Sequence, residues 1–383
     1  MKVAEKYKQT ELGLIPSDWE VKELGTILTF GSGRDYKQLQ NGKIPVYGTG
    51  GVMTYVDEFL YDGMSVGIGR KGTIDKPVFL EGKFWTVDTL FYTHQFINTN
   101  PKFIYYKFCL IKWKEYNEAS GVPSLNKNTL QKIKIAFPEL AEQTAIATAL
   151  SNADALISSL EKLIAKKRNI KQGAMQKLLQ PKEGWEVKKL GEIVNNIQLG
   201  GNYPNGEANT NYPLIKMGNI QRGFISTYKI EYIIGDCIPE KRDKLKYGDV
   251  LFNTRNTLEL VGKVSIWRNE LFEAYFNSNL MRFQFNPEFI SSNFFMNYVF
   301  NTRNSISKLK DIATGTTSVA AIYTRDLLKI EMTIPSKEEQ TRIASILSDM
   351  DKELTVLESK LEKYRKIKLG MMQNLLTGKI RLV

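Results

Sequence analysis

The chain has 383 residues, of which 42% are hydrophobic and 25% are charged, so two or three globular domains are possible. A net charge of +12 at pH 7 favours nucleic acid over a membrane as partner, with a merely solvated basic surface as the alternative. Cys109 and Cys237 are too far apart in sequence to suggest a disulfide framework or a metal cluster. The polar N-terminus predicts no signal peptide, and no apolar run approaches the roughly 18 residues of a membrane helix, so we expect a cytoplasmic protein.

The first predicted elements form a mixed segment of short strands and glycine turns. It opens with the motif WEVKELG at residues 19–25. Residues 42–56 and 65–80 then alternate β-branched or aromatic residues with turn residues, as strands do. A helix is predicted at residues 101–116, and a glycine loop at residues 121–130 leads to a last strand.

One glycine motif in this segment has two interpretations. GIGRKG at residues 67–72 matches the dinucleotide-binding pattern, which needs a helix to follow so that the phosphate lies at the helix N-terminus. The residues that follow are strand-like and include Pro77. We therefore predict a turn between two strands with Arg70 and Lys71 at its tip, where they could contact a phosphate or a base.

A long helix follows, and the chain contains it twice. Residues 143–179 return at residues 340–376 with a constant offset, and 18 of the 37 aligned positions are identical. Apolar residues alternate at spacings of four and three, the heptad rhythm of a coiled coil, from Ile146 to Leu178 and from Ile343 to Leu375. Each helix should be about 50 Å long at roughly 1.5 Å per residue.

Connectivity predicts that the two helices pair antiparallel. The opening motif returns as WEVKKLG at residues 185–191, directly after the first helix, and the second insert then runs straight to Pro335. In a parallel pair a linker would have to span about 50 Å back to the start of the first helix, and the sequence has no residues available for such a linker. The same symmetry should bring residues 378–383 beside residues 19–25 and leave the two inserts facing opposite ways.

The second insert resembles the first in kind but is longer. Strands are predicted within residues 212–226 and 247–267, a helix at residues 287–301, and a loop at residues 315–328 that matches the glycine loop of the first insert. Its NPEF sequence at residues 286–289 is close to the Asn-Pro-Pro-aromatic motif of adenine methyltransferases. The third position is wrong and no glycine-rich cofactor loop precedes it, so we predict a helix N-terminus.

Catalytic constellations are weak throughout the sequence. Asp75, Glu81 and Lys83 loosely match the acidic and lysine residues of metal-dependent nucleases, but ordinary surface charge explains them better. His94 is the only histidine, and there is no P-loop lysine motif, so a histidine metal cluster is not available. We expect a non-catalytic chain without a metal.

Polar residues suited to reading bases are concentrated in the two inserts. Arginine and asparagine are the usual partners of guanine and adenine in the major groove, and lysine, tyrosine and threonine supply phosphate and base contacts. The candidate DNA-binding residues are Arg34, Tyr36, Lys37, Tyr47, Arg70 and Lys71 in the first insert and Lys216, Asn219, Arg222, Arg255, Asn256, Thr257 and Thr316 in the second. For any one of them an ordinary surface role is the alternative.

The chain resembles the specificity subunits of type I restriction-modification systems. The resemblance rests on TELGLIPSDWEVKELG at residues 10–25, on YGTGG and IGRKGT in the first insert, and on LIKMGNI, GDVLFNTRNT and LVGK in the second. The repeated helix completes it, with EQTAIATAL and EQTRIASIL at its start and MQKLL and MQNLL at its end. It covers essentially the whole chain.

The resemblance implies an α+β fold in which two pseudo-symmetric α/β target-recognition domains are joined by two long antiparallel coiled-coil helices. Each domain would read one half of a split, asymmetric site on double-stranded DNA, and the helices would set the spacer. It also implies two methyltransferase subunits, which bring S-adenosylmethionine, and a restriction motor-nuclease subunit, which uses ATP and Mg; this chain itself would bind no cofactor.

Two target-recognition domains are expected, at residues 1–138 and 183–334, and the first includes a frame segment at residues 10–27. The two long helices are expected at residues 139–182 and 335–383. The repeated helix starts, with Gln143, Thr144, Gln340 and Thr341, are candidates for methyltransferase docking or for coiled-coil packing. Two other functions stay open. A stand-alone DNA-binding protein would need no partner, and a nuclease using Asp75, Glu81 and Lys83 would cut DNA with a metal.

Overall fold

The structure, a computed structural model, describes residues 6–382. Residues 1–5 and Val383, the outer ends of the first and last predicted domains, therefore lie outside the described residues. The chain divides into two units: unit 1 consists of residues up to 162 together with those from 358 onward, and unit 2 of residues 163–357. Each long helix contributes to both units, so unit 1 is discontinuous in sequence.

The elements of the first half end in a long helix. In chain order they are β1 (Tyr7–Thr10), β2 (Gly13–Pro16), β3 (Glu20–Glu23), α1 (Leu24–Ile27), β4 (Thr29–Ser32), β5 (Asn41–Gly48), β6 (Gly51–Val56), β7 (Tyr61–Asp62), β8 (Ser65–Gly69), β9 (Val78–Leu80), β10 (Lys83–Thr86), β11 (Leu90–His94), α2 (Pro101–Leu110), a 3-10 helix (Trp113–Tyr116), α3 (Lys127–Gln131), β12 (Lys134–Phe137) and α4 (Leu140–Leu178).

The second half follows the same plan. Its elements are β13 (Glu186–Lys189), α5 (Leu190–Ile193), β14 (Val194–Leu199), β15 (Asn205–Gly206), β16 (Pro213–Ile215), β17 (Glu231–Ile233), a 3-10 helix (Lys241–Asp243), β18 (Val250–Asn253), β19 (Arg255–Asn256), β20 (Val264–Ile266), β21 (Tyr275–Phe276), β22 (Leu280–Phe285), α6 (Asn293–Phe300), α7 (Arg303–Asp311), β23 (Thr314–Gly315), β24 (Ala320–Ala321), α8 (Thr324–Leu327), β25 (Glu331–Ile334) and α9 (Lys337–Leu375).

Two four-stranded sheets organise unit 1. The first has the order β4-β11-β8-β9, and all three of its strand pairs are antiparallel. The second has the order β6-β5-β10-β7 and contains one parallel pair, β5 with β10. Helix α2, started by Pro101 and capped by the Asn100 side chain, buries Phe103 and Phe108 in the main core with Trp19.

Unit 2 repeats the first of these sheets strand for strand and the second in part: the fourth strand of the second sheet lies beside β10 in unit 1 but beside β17 in unit 2. Its antiparallel sheet has the order β14-β22-β18-β20, and its second sheet, β15-β17-β16-β21, again holds one parallel pair. Among the described residues, only unit 2 has a third sheet of regular strands, in the order β19-β24-β23. The two halves therefore share a frame and differ in what is inserted into it.

Helices α4 and α9 each run for 39 residues, or about 58 Å. The predicted heptad positions are all buried or half-buried, and Ile146, Leu150, Ile343 and Leu347 are fully enclosed. The antiparallel prediction is confirmed in each unit. In unit 1 Lys368 pairs with Asp154 and Arg365 with Glu161, so the residue number on α9 falls as that on α4 rises; Lys167–Glu353 and Lys171–Asp351 do the same in unit 2.

The return of the C-terminal segment to the first motif is also confirmed for the described residues. The Arg381 guanidinium pairs with Asp18 at 2.7 Å and with Glu142 at 2.6 Å, and Glu142 in turn accepts a hydrogen bond from the Trp19 indole. In unit 2 the segment after α4 occupies the corresponding place, where Lys182 pairs with Glu339 and lies over the Trp185 ring. These contacts tie each opening motif to the end of a long helix.

Three local predictions have clear outcomes. Residues 67–72 end β8 and enter the turn to β9, so the strand-turn prediction is confirmed. The NPEF sequence is not a helix N-terminus: it forms a turn in which Asn286 accepts from the Glu288 amide, and α6 begins at Asn293 after the Ser292 cap. Among the described residues no helix is long and apolar enough to span a membrane.

Candidate nucleic-acid interface

In unit 2 the end of β18 gathers four of the predicted DNA-binding residues. After β18 the chain forms β19, in which Arg255 pairs with Ala321 and Asn256 with Ala320 of the β23-β24 hairpin. Thr257 follows directly, and the Asn256 side chain accepts a hydrogen bond from its amide at 2.8 Å. Thr316 lies in the hairpin turn, so the antiparallel pairing brings these residues to one small sheet.

The chemistry of this sheet suits recognition of an anionic polymer. Arg255 and Thr316 are exposed, while Asn256 and Thr257 are half-buried. Within residues 6–382 Arg255 makes no ion pair with an acidic side chain, so its guanidinium is available in solution for a phosphate or a base edge.

In unit 1 the equivalent strand end carries Arg70 and Lys71, both exposed. Their amides donate to the Thr89 carbonyl at 2.7 and 3.3 Å, and the Arg70 guanidinium lies 5.8 Å from the Phe91 ring centroid. Arg34 belongs to the same edge, because its amide donates to the carbonyl of Thr86, the last residue of β10 before the turn that contains Thr89, at 2.8 Å. The structure therefore brings Arg34, Arg70 and Lys71 together.

The other three residues predicted in the first insert are divided. Lys37 is exposed, but Tyr36 packs against the small core of the second sheet, whose buried residues include Val46 and Trp85. Tyr47 is half-buried and meets the Phe84 ring edge-on, with ring centroids 6.4 Å apart. The two tyrosines therefore have structural partners that account for much of their surface.

Two predicted residues of the second insert are occupied inside the protein. The Lys216 ammonium donates to Asn205 and pairs with Glu231, both at 2.8 Å. Asn219 is buried; its side chain accepts from the Lys216 amide and donates to the Ser226 carbonyl, which closes a turn. These internal partners occupy their polar groups, and contact of Lys216 and Asn219 with DNA stays a prediction.

Arg222, in contrast, is half-buried and has a nitrogen atom without a partner. Burial lowers the pKa of its guanidinium, and its shielded Nη1 atom has no hydrogen-bond partner. Lys263, which sequence analysis missed, lies beside it: burial and the charge of Arg222 lower the pKa of its ammonium, and its Nζ donates to Gln221 at 3.3 Å. Two half-buried cations next to each other favour a bound anion. Their sequence separation left no signal of this pairing.

Two of the three candidate nuclease residues, Asp75 and Lys83, have other partners in the structure. Asp75 pairs with Lys114 at 3.0 Å, which holds the pKa of its carboxyl below the usual range, and Lys83 lies over the Phe59 ring. Among residues 6–382 no group of three histidine, cysteine or acidic side chains is placed to hold a metal ion.

Comparison with known proteins decides the family. A sequence model described as "Type I restriction modification DNA specificity domain" matches residues 16–172 and again residues 182–364. The chain belongs to this family. The specificity subunit of the type I restriction enzyme MjaVIII from Methanocaldococcus jannaschii is 27% identical, with 98% of this chain and 96% of the relative covered.

Solved structures agree at the level of fold. The S subunit of a type I restriction-modification system from M. genitalium superposes with a TM-score of 0.64 at 16% identity, covering 97% of this chain and 98% of that one. A chain from a study of assembly and conformational transition in the type I R-M system gives a TM-score of 0.51 at 14% identity, covering 96% and 99%.

Within this specificity-domain chain the predicted docking residues separate into two kinds. Gln143 and Gln340 are fully buried: each side chain accepts from one amide, of Asn100 or Ser291, and donates to two carbonyls. These hydrogen bonds anchor the helix starts internally, which favours the packing alternative for the two glutamines, and their role in docking stays a prediction. Thr144 and Thr341 are exposed and stay candidates.

Each specificity unit also contains a polar joint that sequence analysis did not identify. The Tyr298 hydroxyl donates to Asp351 at 2.7 Å, and Asp351 pairs with Lys171 of the other long helix. The same joint in unit 1 joins Tyr106, Asp154 and Lys368. The signal was present, because the aspartates and the lysines are each related by the same offset as the helix repeat.

Proposed function

We propose that this member of the DNA-specificity family reads a bipartite, asymmetric DNA site, with one half-site for each unit. One observation supports this more than any other. Both units present an exposed basic strand end in the same topological place, but the side chains differ: Lys71 pairs with Ser124 in unit 1, and Arg255 with Ala321 in unit 2. Equal frames with unequal reading residues suit two different half-sites.

The proposed organisation follows the predicted domains. Residues 1–138 and 183–334 would form the target-recognition domains, and the helices of 139–182 and 335–383 would fix the spacer between the half-sites. Arg34, Lys37, Arg70, Lys71, Arg222, Arg255, Asn256, Thr257 and Thr316 are the proposed DNA contacts. Phosphate contacts by the basic members would make affinity fall steeply with salt.

We further propose that the chain is non-catalytic and acts as a scaffold. Two methyltransferase subunits with S-adenosylmethionine and a restriction motor-nuclease subunit with ATP and Mg would supply the chemistry. The names of the relatives support this, since they are specificity subunits of restriction enzymes. Exposed Thr144 and Thr341, at equivalent places on α4 and α9, are the proposed docking positions.

The deciding experiment is a genome-wide map of methylated adenines in the source cell with and without this gene. Loss of one bipartite, asymmetric methylation pattern on deletion is the expected result, and it would supply the recognised sequence. If the map is unchanged while the pure chain binds DNA sequence-specifically, a stand-alone DNA-binding protein replaces the proposal. Metal-dependent cutting by the pure chain would instead support a nuclease.

A further inference from the structure

Two exposed valines occupy the same position in the two units. Val122 and Val319 are related by the offset of the helix repeat, and the register continues through α3 and α8, β12 and β25, and the long helices. Each valine is 67% exposed to solvent. A single exposed aliphatic residue needs no explanation, but the same one at the tip of both loops points to a shared role.

Both valines are held next to the candidate reading residues. Three positions after each valine a buried aliphatic residue, Leu125 or Ile322, anchors the loop. The Leu125 amide donates to the Arg70 carbonyl at 2.9 Å, and the Ile322 amide to the Thr254 carbonyl at 3.0 Å. Each loop is therefore attached by its backbone to the basic end of its strand.

The loops are ordered by hydrogen bonds rather than by contacts of the valine side chains. In unit 2 the Thr316 amide donates to the Val319 carbonyl at 2.8 Å, and Gly315 has a φ of 134° that a side chain would not adopt easily. In unit 1 the Gly72 amide donates to the Pro123 carbonyl at 2.9 Å, and Asn117 accepts from the Ser124 amide at 2.8 Å. An apolar side chain is thus presented to water from a fixed backbone.

We propose that Val122 and Val319 are specificity residues, each packing against the C5-methyl group of a thymine in the major groove of its half-site. This inference rests on the proposed DNA-reading function. A two-stranded ribbon such as β23-β24 fits the major groove, and an aliphatic side chain is the partner of the thymine methyl there. The neighbouring Lys71 and Arg255 supply the charge that brings the loop to DNA.

The test uses the complex purified on the tagged full chain and duplexes of the mapped site in which each thymine in turn is replaced by uracil, which lacks only the methyl group. With the unaltered chain, one replacement in each half-site should weaken binding about fourfold, as expected for one buried methyl group. Val319→Ala should weaken binding by a similar factor and no longer respond to the replacement in its own half-site. Val122→Ala should do so for the other half-site.

The control and the contrary outcomes are separable. Val187→Ala alters a valine that is 62% exposed on β13, and it should leave both affinity and the uracil response unchanged. If the bipartite site is bound but no thymine replacement weakens binding, or if both tip variants keep the uracil response, the thymine contact is overturned while the DNA-reading function stands. If the tip variants bind DNA normally but lose a co-purifying subunit, the tips contact protein. Failure of the unaltered complex to prefer the mapped site would overturn the proposed function itself.

Discussion

Lys107 is a buried lysine that unit 2 does not have. Its Nζ donates to the Leu376 carbonyl at 2.5 Å, beyond the end of α9, and lies 5.4 Å from the ring centroids of both Trp19 and Phe103. Burial lowers its pKa to about 7. In unit 2 the corresponding position of α6, one residue after the joint tyrosine, is Val299.

The stability of unit 1 should depend on pH through this lysine. Its pKa is lower in the folded chain than in the unfolded chain, so between pH 7 and about 10.5 the unfolded chain binds more protons and stability rises with pH. The free energy of unfolding of the natural chain relative to Lys107→Met should therefore increase by up to about 1.4 kcal/mol per pH unit in that window. Urea denaturation at pH 7, 8 and 9 measures it. The control Lys132→Met, at an exposed lysine, should show no such trend. If the difference in the free energy of unfolding between the natural chain and Lys107→Met is the same at all three pH values, the prediction is contradicted.

Arg255 and Asn256 should determine which bases unit 2 reads. Replacing either by alanine would remove the proposed bidentate contact and should relax discrimination at one position by about 1–3 kcal/mol. The methylation map of each variant measures the change, and Arg325→Ala, at an exposed arginine of α8, is the control. An unaltered recognition sequence in both variants would mean that these residues do not contact bases.

Residue type alone predicted part of the interface. Arg34, Arg70, Lys71 and Arg255 are exposed, as expected. Lys216 is not available because Glu231, which binds it, is brought near only by the pairing of β16 with β17. Composition and spacing carry no information on such long-range partners.

Among the elements, the two long helices were the most predictable. The heptad pattern and the repeat predict their extent, because the same apolar spacing recurs along the whole helix, and the short connections of the second insert predict their antiparallel direction. The two-residue strands β7, β15, β21, β23 and β24 lie outside the predicted strand segments, since their conformation depends on partners distant in sequence. The parallel pairing of β5 with β10 has the same origin.

The polar joint should stabilise the helix pair within unit 2. Tyr298 is buried, and burial raises the pKa of its hydroxyl, so it stays a donor to Asp351 at neutral pH. A double-mutant cycle of Tyr298→Phe and Asp351→Asn should give a coupling energy of about 1 kcal/mol or more in urea denaturation. The same cycle can be measured in unit 1 with Tyr106→Phe and Asp154→Asn. Tyr323→Phe, at an exposed tyrosine, is the control. Additive effects of the two changes would show that the hydrogen bond contributes little.

For the whole molecule, α4 and α9 are continuous through both units, which is why they are proposed to set the spacer. Inserting seven residues after Lys162 and after Leu357 keeps the heptad phase and lengthens each helix by about 10 Å. The mapped spacer should grow by roughly three base pairs while both half-sites stay the same. An insertion of seven residues in α4 alone, which breaks the pairing register, should abolish the pattern. An unchanged spacer with both insertions would contradict a ruler role.

The discontinuity of unit 1 has a consequence for synthesis. Its core needs Met372, Leu375 and Leu376 beside Ile146 and Leu150, yet these residues leave the ribosome long after residue 162. At about 5–20 residues per second the delay is on the order of tens of seconds. Unit 2 is one continuous segment and can complete its core before then. The half that is translated first is therefore the half that folds last, and meanwhile its apolar helix face needs protection from aggregation.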